Sequence, residues 1–83
     1  MVFKPVAVPL GDLTRVTVFH DEVEAVHLCD GLGLTQEEAG LKMGVSRGTV
    51  QRLVTAGRRK IITGIVAGKA LVIEGEARGM GEG

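Results

Sequence analysis

The sequence contains neither tryptophan nor tyrosine, and its only aromatic residues are Phe3 and Phe19. An 83-residue chain of this kind must build its core from Val, Leu, Ile, Met and Ala, which supply less buried area per side chain than aromatics do. So thin a core gains from association with a second copy. The lone cysteine, Cys29, excludes an intramolecular disulfide. There is no apolar run of membrane-spanning length and no signal-peptide pattern. Together these absences point to one cytoplasmic domain without a membrane partner.

Net charge is missing too, since ten Lys and Arg offset ten Asp and Glu. Taken alone, this argues against nucleic acid, whose phosphates are held chiefly by cations. The distribution of the charges points the other way. From Asp21 to Glu38 every charged side chain is acidic: Asp21, Glu22, Glu24, Asp30, Glu37 and Glu38. From Ala39 to Ile73 every one is basic: Lys42, Arg47, Arg52, Arg58, Arg59, Lys60 and Lys69. A helical domain segregated in this way can turn a positive face to an anion while remaining neutral overall. The alternative is that the two blocks neutralise one another through internal salt bridges.

Periodicity predicts a mainly α fold: a three-helix helix-turn-helix domain over residues 14–75, with one short β-strand before helix one and another after the long third helix. Residues 1–13, with Pro5 and Pro9, read as an extended, irregular arm, because proline cannot sit inside a sheet. Residues 76–83 read as a disordered Gly-rich tail. The first strand is expected at Thr14–Phe19, from its alternating β-branched residues, and the second at Ala70–Glu74; the two are plausible partners. Between them, helix one follows His20-Asp21 and ends near Asp30-Gly31. Thr35-Gln36-Glu37-Glu38 is a capping-box pattern that opens a second, short helix stopping at Gly44. Ser46 is a good N-cap for a long amphipathic helix that reaches about Ala67.

A helix-turn-helix needs a small residue where its helices cross, a glycine at the turn and apolar plugs at fixed offsets. Gly40 supplies the crossing, Gly44 the turn four residues on, and Val45 the plug. Val50 and Leu53 supply the core side of the third helix. In that arrangement Ser46, Arg47, Gly48, Thr49, Gln51 and Arg52 are the candidates for contact with double-stranded DNA. Arginine can chelate guanine, glutamine can chelate adenine, and the free N–H groups of a helix start suit phosphate. Arg58, Arg59 and Lys60 lie beyond the base-reading turns, where cations either grip phosphates or form a solvated helix face.

Other chemistry is poorly represented. His20, His27 and Cys29 are near one another but lack paired Cys-x-x-Cys or His-x-x-x-His spacing, so no metal site is expected. No nucleophile with a neighbouring base, no carboxylate pair and no Walker-type loop stands out, so neither enzymatic activity nor a cofactor is expected.

Several stretches carry a resemblance: Phe3-Lys4-Pro5-Val6-Ala7-Val8-Pro9-Leu10, Asp21 to Leu28, Leu34-Thr35-Gln36-Glu37-Glu38-Ala39, Met43-Gly44-Val45-Ser46-Arg47, Arg58-Arg59-Lys60, and Gly68 to Leu71 with Glu74-Gly75. Nearly the whole chain thus resembles the domain-of-unknown-function 134 family. Its members are small bacterial and archaeal proteins predicted to bind DNA through a helix-turn-helix like that of region 4 of bacterial sigma factors. The resemblance implies transcription regulation through double-stranded DNA. Two features depart from it: relatives tend to carry a short basic arm before the Phe-Lys-Pro segment, and proline where this chain has Gly48, which loosens the first turn of the third helix. A homodimer joined near the Thr14 and Ala70 strands, reading two successive major grooves, is the expected assembly. The rival expectation is an interaction module docking on RNA polymerase or another regulator.

Overall fold

The computed structural model describes residues 1–5 and 14–77. These residues form three helices with short strands before and after them. Helix α1 spans His20–Val26 and continues as a π-helical turn over His27–Gly31. Helix α2 spans Gln36–Met43 and α3 spans Arg47–Val66. Strands β1 (Val2–Phe3), β2 (Arg15–Val18) and β3 (Ala70–Ile73) make one sheet in the order β1-β3-β2.

The mainly α architecture expected from periodicity is therefore present, with differences in the sheet. β2 and β3 pair in parallel, from Arg15 opposite Ala70 to Val18 opposite Ile73. The three helices between these strands form the long crossover that a parallel pair requires. β1, from the segment expected to be irregular, adds to β3 antiparallel, with Val2 opposite Val72 and Phe3 opposite Leu71. It is an edge strand, and Pro5 falls just past its end, where a missing N–H costs nothing. Both edges of β3 are thereby occupied, so a subunit contact at Ala70–Ile73 cannot form by strand pairing. The rest of the expected arm, residues 6–13, and residues 78–83 of the expected tail lie outside the described residues.

The tail boundary also moves. The Gly75 carbonyl accepts from the His20 N–H at 2.9 Å, the Ala77 N–H donates to Asp21 Oδ1 at 2.9 Å, and Ala77 packs against the core. Residues 75–77 thus cover the start of α1. At that start the Phe19 N–H donates to Glu22 Oε1 at 2.9 Å, which satisfies one of the donors a helix N-terminus exposes.

Ala25, Leu28, Ala39, Val50, Leu53 and Val54 form the buried core, where α1 and α2 meet α3, and Cys29, Leu34, Met43 and Val45 pack partly buried around it. Neither of the two phenylalanines takes part. Helices without large side chains between them must approach closely, and Gly57 marks a close approach of α1 to α3. A Cβ there would sit 2.8 Å from Val26 Cγ2 and 3.1 Å from the Glu22 carbonyl oxygen. At the other end of α3, buried Gly64 faces Leu71 of β3 in the same way. Among the described residues no helix is long and apolar enough to cross a membrane.

Candidate functional site

α2, the turn after it and the first half of α3 are shaped by local chemistry that can be followed residue by residue. Thr35 Oγ1 accepts from the Glu38 N–H at 3.1 Å, and Glu38 Oε1 accepts from the Thr35 N–H at 2.9 Å, closing a reciprocal cap. Hydrogen bonds from Thr35, the backbone N–H first and then its side chain, hold the Glu38 carboxyl below its ordinary range. At the far end Gly44 adopts φ +72°, a left-handed conformation that ends α2. The Val45 N–H returns to the Gly40 carbonyl at 3.0 Å. A Cβ on buried Gly40 would lie 2.7 Å from the Val45 carbonyl oxygen, so only glycine lets the turn fold back so tightly. Ser46 then caps α3, its Oγ accepting from the Thr49 N–H at 3.2 Å. Val50 and Leu53 are buried beneath this start, and Val45 is half-buried against the same cluster.

The outward face of α3 carries Arg47, Gly48, Gln51, Arg52, Thr55 and Arg59, all exposed. Gln51, Arg52, Thr55, Ala56 and Arg59 border a shallow concavity of about 370 Å³. Arg47 borders a second, about 460 Å³, together with Thr35, Gln36 and Glu37 at the start of α2. α3 contains no Asp or Glu at any position. Thr55 was not singled out from the sequence, although it lies four residues from both Gln51 and Arg59 and therefore on their face.

The expected site residues thus divide into groups. Ser46, Arg47, Gly48, Gln51, Arg52 and Arg59 share the exposed side of the α3 start and its continuation. Thr49 does not: it is 8% exposed, and its Oγ1 lies 3.0 Å from Ser46 Oγ and accepts from Arg52 Nη2 at 3.2 Å. Arg58 and Lys60, expected to meet phosphate or solvent, meet the acidic block of the chain. Arg58 forms a two-pronged bond to Asp30, Nε to Oδ2 at 2.7 Å and Nη2 to Oδ1 at 2.6 Å. The Arg58 hydrogen bond holds the Asp30 carboxyl below its usual range, and the Asp30 hydrogen bond raises the Arg58 guanidinium. Lys60 Nζ donates to both oxygens of buried Glu22 at 2.9 Å and lies 4.5 Å from the centroid of the Phe19 ring. For these two cations the salt-bridge alternative read from the charge blocks is the observed one. Among the described residues no group of three His, Cys, Asp or Glu side chains is placed to hold a metal ion.

A family model described as "Protein of unknown function DUF134" matches residues 1–79. The chain belongs to that family. A UPF0251 protein of Halothermothrix orenii is 49% identical over 73 residues, covering 88% of this chain and 54% of the relative. One from Moorella thermoacetica is 45% identical over 73 residues, covering 88% and 49%. One from Vibrio cholerae is 47% identical over 72 residues, covering 87% and 74%. The chain therefore spans about half the length of the Halothermothrix and Moorella relatives. No solved structure matches it.

Proposed function

We propose that this chain binds double-stranded DNA sequence-specifically, as a cytoplasmic transcriptional regulator, through a helix-turn-helix made of α2, the Gly44–Ser46 turn and α3. The observation that carries the reading is the outward face of α3: Arg47, Gln51, Arg52, Thr55 and Arg59 lie exposed in succession on a helix without a single acid. A helix about 10–12 Å across fits a major groove about 12 Å wide. Arg47 and Arg52 are suited to the O6 and N7 edge of guanine, and Gln51 to the N6 and N7 edge of adenine. Arg59, two turns further on, is suited to phosphate. The internal pairing of Arg58 and Lys60 favours the reading, since it consumes acids that would otherwise repel a phosphate backbone.

The protein works as a homodimer on a roughly palindromic site whose halves lie about one helical turn, roughly 34 Å, apart. The described residues offer an apolar surface for such pairing in Ile62, Ile65 and Val66 of α3 with Phe3, all exposed. Selection of duplexes from a random pool, followed by sequencing, tests the function. The expected result is a two-fold motif that disappears with the Arg47→Ala, Arg52→Ala double variant. A pool that emerges unenriched, with no duplex retained even at low salt, sinks the reading.

A second reading, docking on RNA polymerase or another regulator, is favoured by a groove of about 390 Å³ between Phe3, Pro5, Ile65 and Leu71. Salt separates the two. DNA affinity falls along a log-log line whose slope counts neutralised phosphates, whereas apolar docking responds weakly.

A further inference from the structure

We infer that Thr49 is a positioning residue that holds the Arg52 guanidinium in a fixed orientation at the DNA-reading face; the assignment rests on the function proposed above. Thr49 stands among the residues expected from sequence to touch DNA, yet with 8% of its surface exposed it cannot reach a base edge. Its hydroxyl has other work. Arg52 is donor only, so Thr49 Oγ1 accepts from Arg52 Nη2 at 3.2 Å. The same oxygen lies 3.0 Å from Ser46 Oγ, which in turn caps the Thr49 backbone N–H. Cap, buried hydroxyl and guanidinium form a relay along the first turn of α3, anchored by the buried neighbours Val50 and Leu53.

The distinction between charge and orientation gives the relay its consequence. An arginine that merely neutralises phosphate needs its charge nearby and tolerates many rotamers. One that chelates a guanine needs its planar fork held in the plane of the base pair, and pre-ordering the fork in the free protein removes rotamer entropy that binding would otherwise cost. The Thr49 hydroxyl, bonded to Nη2, fixes one arm of the fork and with it the plane of the guanidinium. Thr49 therefore governs discrimination between sequences, while the overall attraction to DNA stays with the charge of Arg52.

Thr49→Val keeps the shape of the side chain and the Ser46 cap, which reaches the backbone N–H of residue 49, and removes only the hydroxyl. Its preference for the selected duplex over a random duplex is expected to fall about tenfold. The salt slope on random duplex stays unchanged, because no cation is lost. Thr49→Ser restores the preference, and Thr49→Val adds nothing in an Arg52→Ala background. A Thr49→Val protein with wild-type preference, or one whose loss persists without Arg52, overturns the assignment. The free wild-type protein supplies a measurement that needs neither DNA nor a variant. By NMR, rotation about the Arg52 Nε–Cζ bond should be slower than that of exposed Arg59, and equal rates overturn the relay. A wild-type chain without preference for any duplex fails the proposed function itself; slowed Arg52 rotation alongside that failure traces the fault to the DNA reading and removes the role given to Thr49 with it.

Discussion

Two sets of cations share helix α3 and do opposite things. Arg47, Arg52 and Arg59 stand on the outward face, whereas Arg58 and Lys60 turn toward α1 and end on Asp30 and Glu22. Composition treats the five alike. Position on the helix separates them: Lys60 lies three residues after buried Gly57 and seven after buried Leu53, on the core side, and Arg58 lies at the border between core and solvent. A cation facing an acid of α1 or of the π-helical turn is tied into the fold, whereas the same residue type a turn away on α3 points its side chain to solvent.

Substitutions can break this contrast, and the largest effect is expected at Lys60. Lys60→Ala leaves the Glu22 carboxylate, 3% exposed, without its cation. Stability should fall by about 3 kcal/mol and the unfolding midpoint by roughly 15 °C, measured by thermal denaturation. Duplex affinity of the folded fraction should change far less, because the Arg58–Asp30 pair still pins α3. The Arg47→Ala, Arg52→Ala pair should do the reverse: affinity for the selected duplex falls about 100-fold by titration, while the midpoint moves by roughly 3 °C or less.

A smaller and favourable change is expected at Gly48. A Cβ there would approach nothing nearer than Arg52 Nη1 at 3.9 Å, an ordinary contact. Gly48→Ala should therefore raise stability by about 0.5–1 kcal/mol through helix propensity, read from a chemical-denaturation midpoint.

The smallest effect belongs to the exposed pair. The Asp30 carboxyl titrates lower in the folded chain than in the unfolded one, because Arg58 stabilises its charged form. Its contribution is thus complete above the unfolded value of about 4 and fades as pH falls through the lower folded value. Asp30→Asn should unfold slightly earlier than the wild type at pH 7, and the gap should close on acidification below about pH 4. A gap that stays constant down to pH 2 would mean the pair contributes nothing through its charge. Glu38, lowered by its bonds from Thr35, adds to the acid sensitivity in the same sense.

Local chemistry was the most legible part of the chain. The Thr35 and Ser46 caps, the left-handed Gly44 and the length of α3 all follow from side chains bonding within a few residues of themselves, and the structure shows each of them. What depends on distant partners was harder to read. β1 is two residues long, too short for any alternation to register, and exists because β3 offers it an edge. The parallel direction of β2 and β3 is set by three intervening helices, which neither strand encodes. The spacing to Leu53 puts both Thr49 and Lys60 on the buried side of α3, against the outward placement that their residue types suggest. The capacity of Arg52 to be held by Thr49 depends on a rotamer, and spacing alone does not reveal rotamers.

The crossing at Gly57 has a mechanical meaning. Salt bridges on either side of it, Lys60 to the first turn of α1 and Arg58 to the π-helical turn at the other end, pin the two helices at two points around a glycine pivot. Arg47 sits ten residues up the helix from that pivot, a lever arm of about 15 Å at 1.5 Å per residue. A tilt of roughly 10° about Gly57 would swing Arg47 by about 2.6 Å, more than a hydrogen bond can absorb. The acids of α1 and of its π-helical turn, remote from Arg47, thereby set the aim of the whole helix.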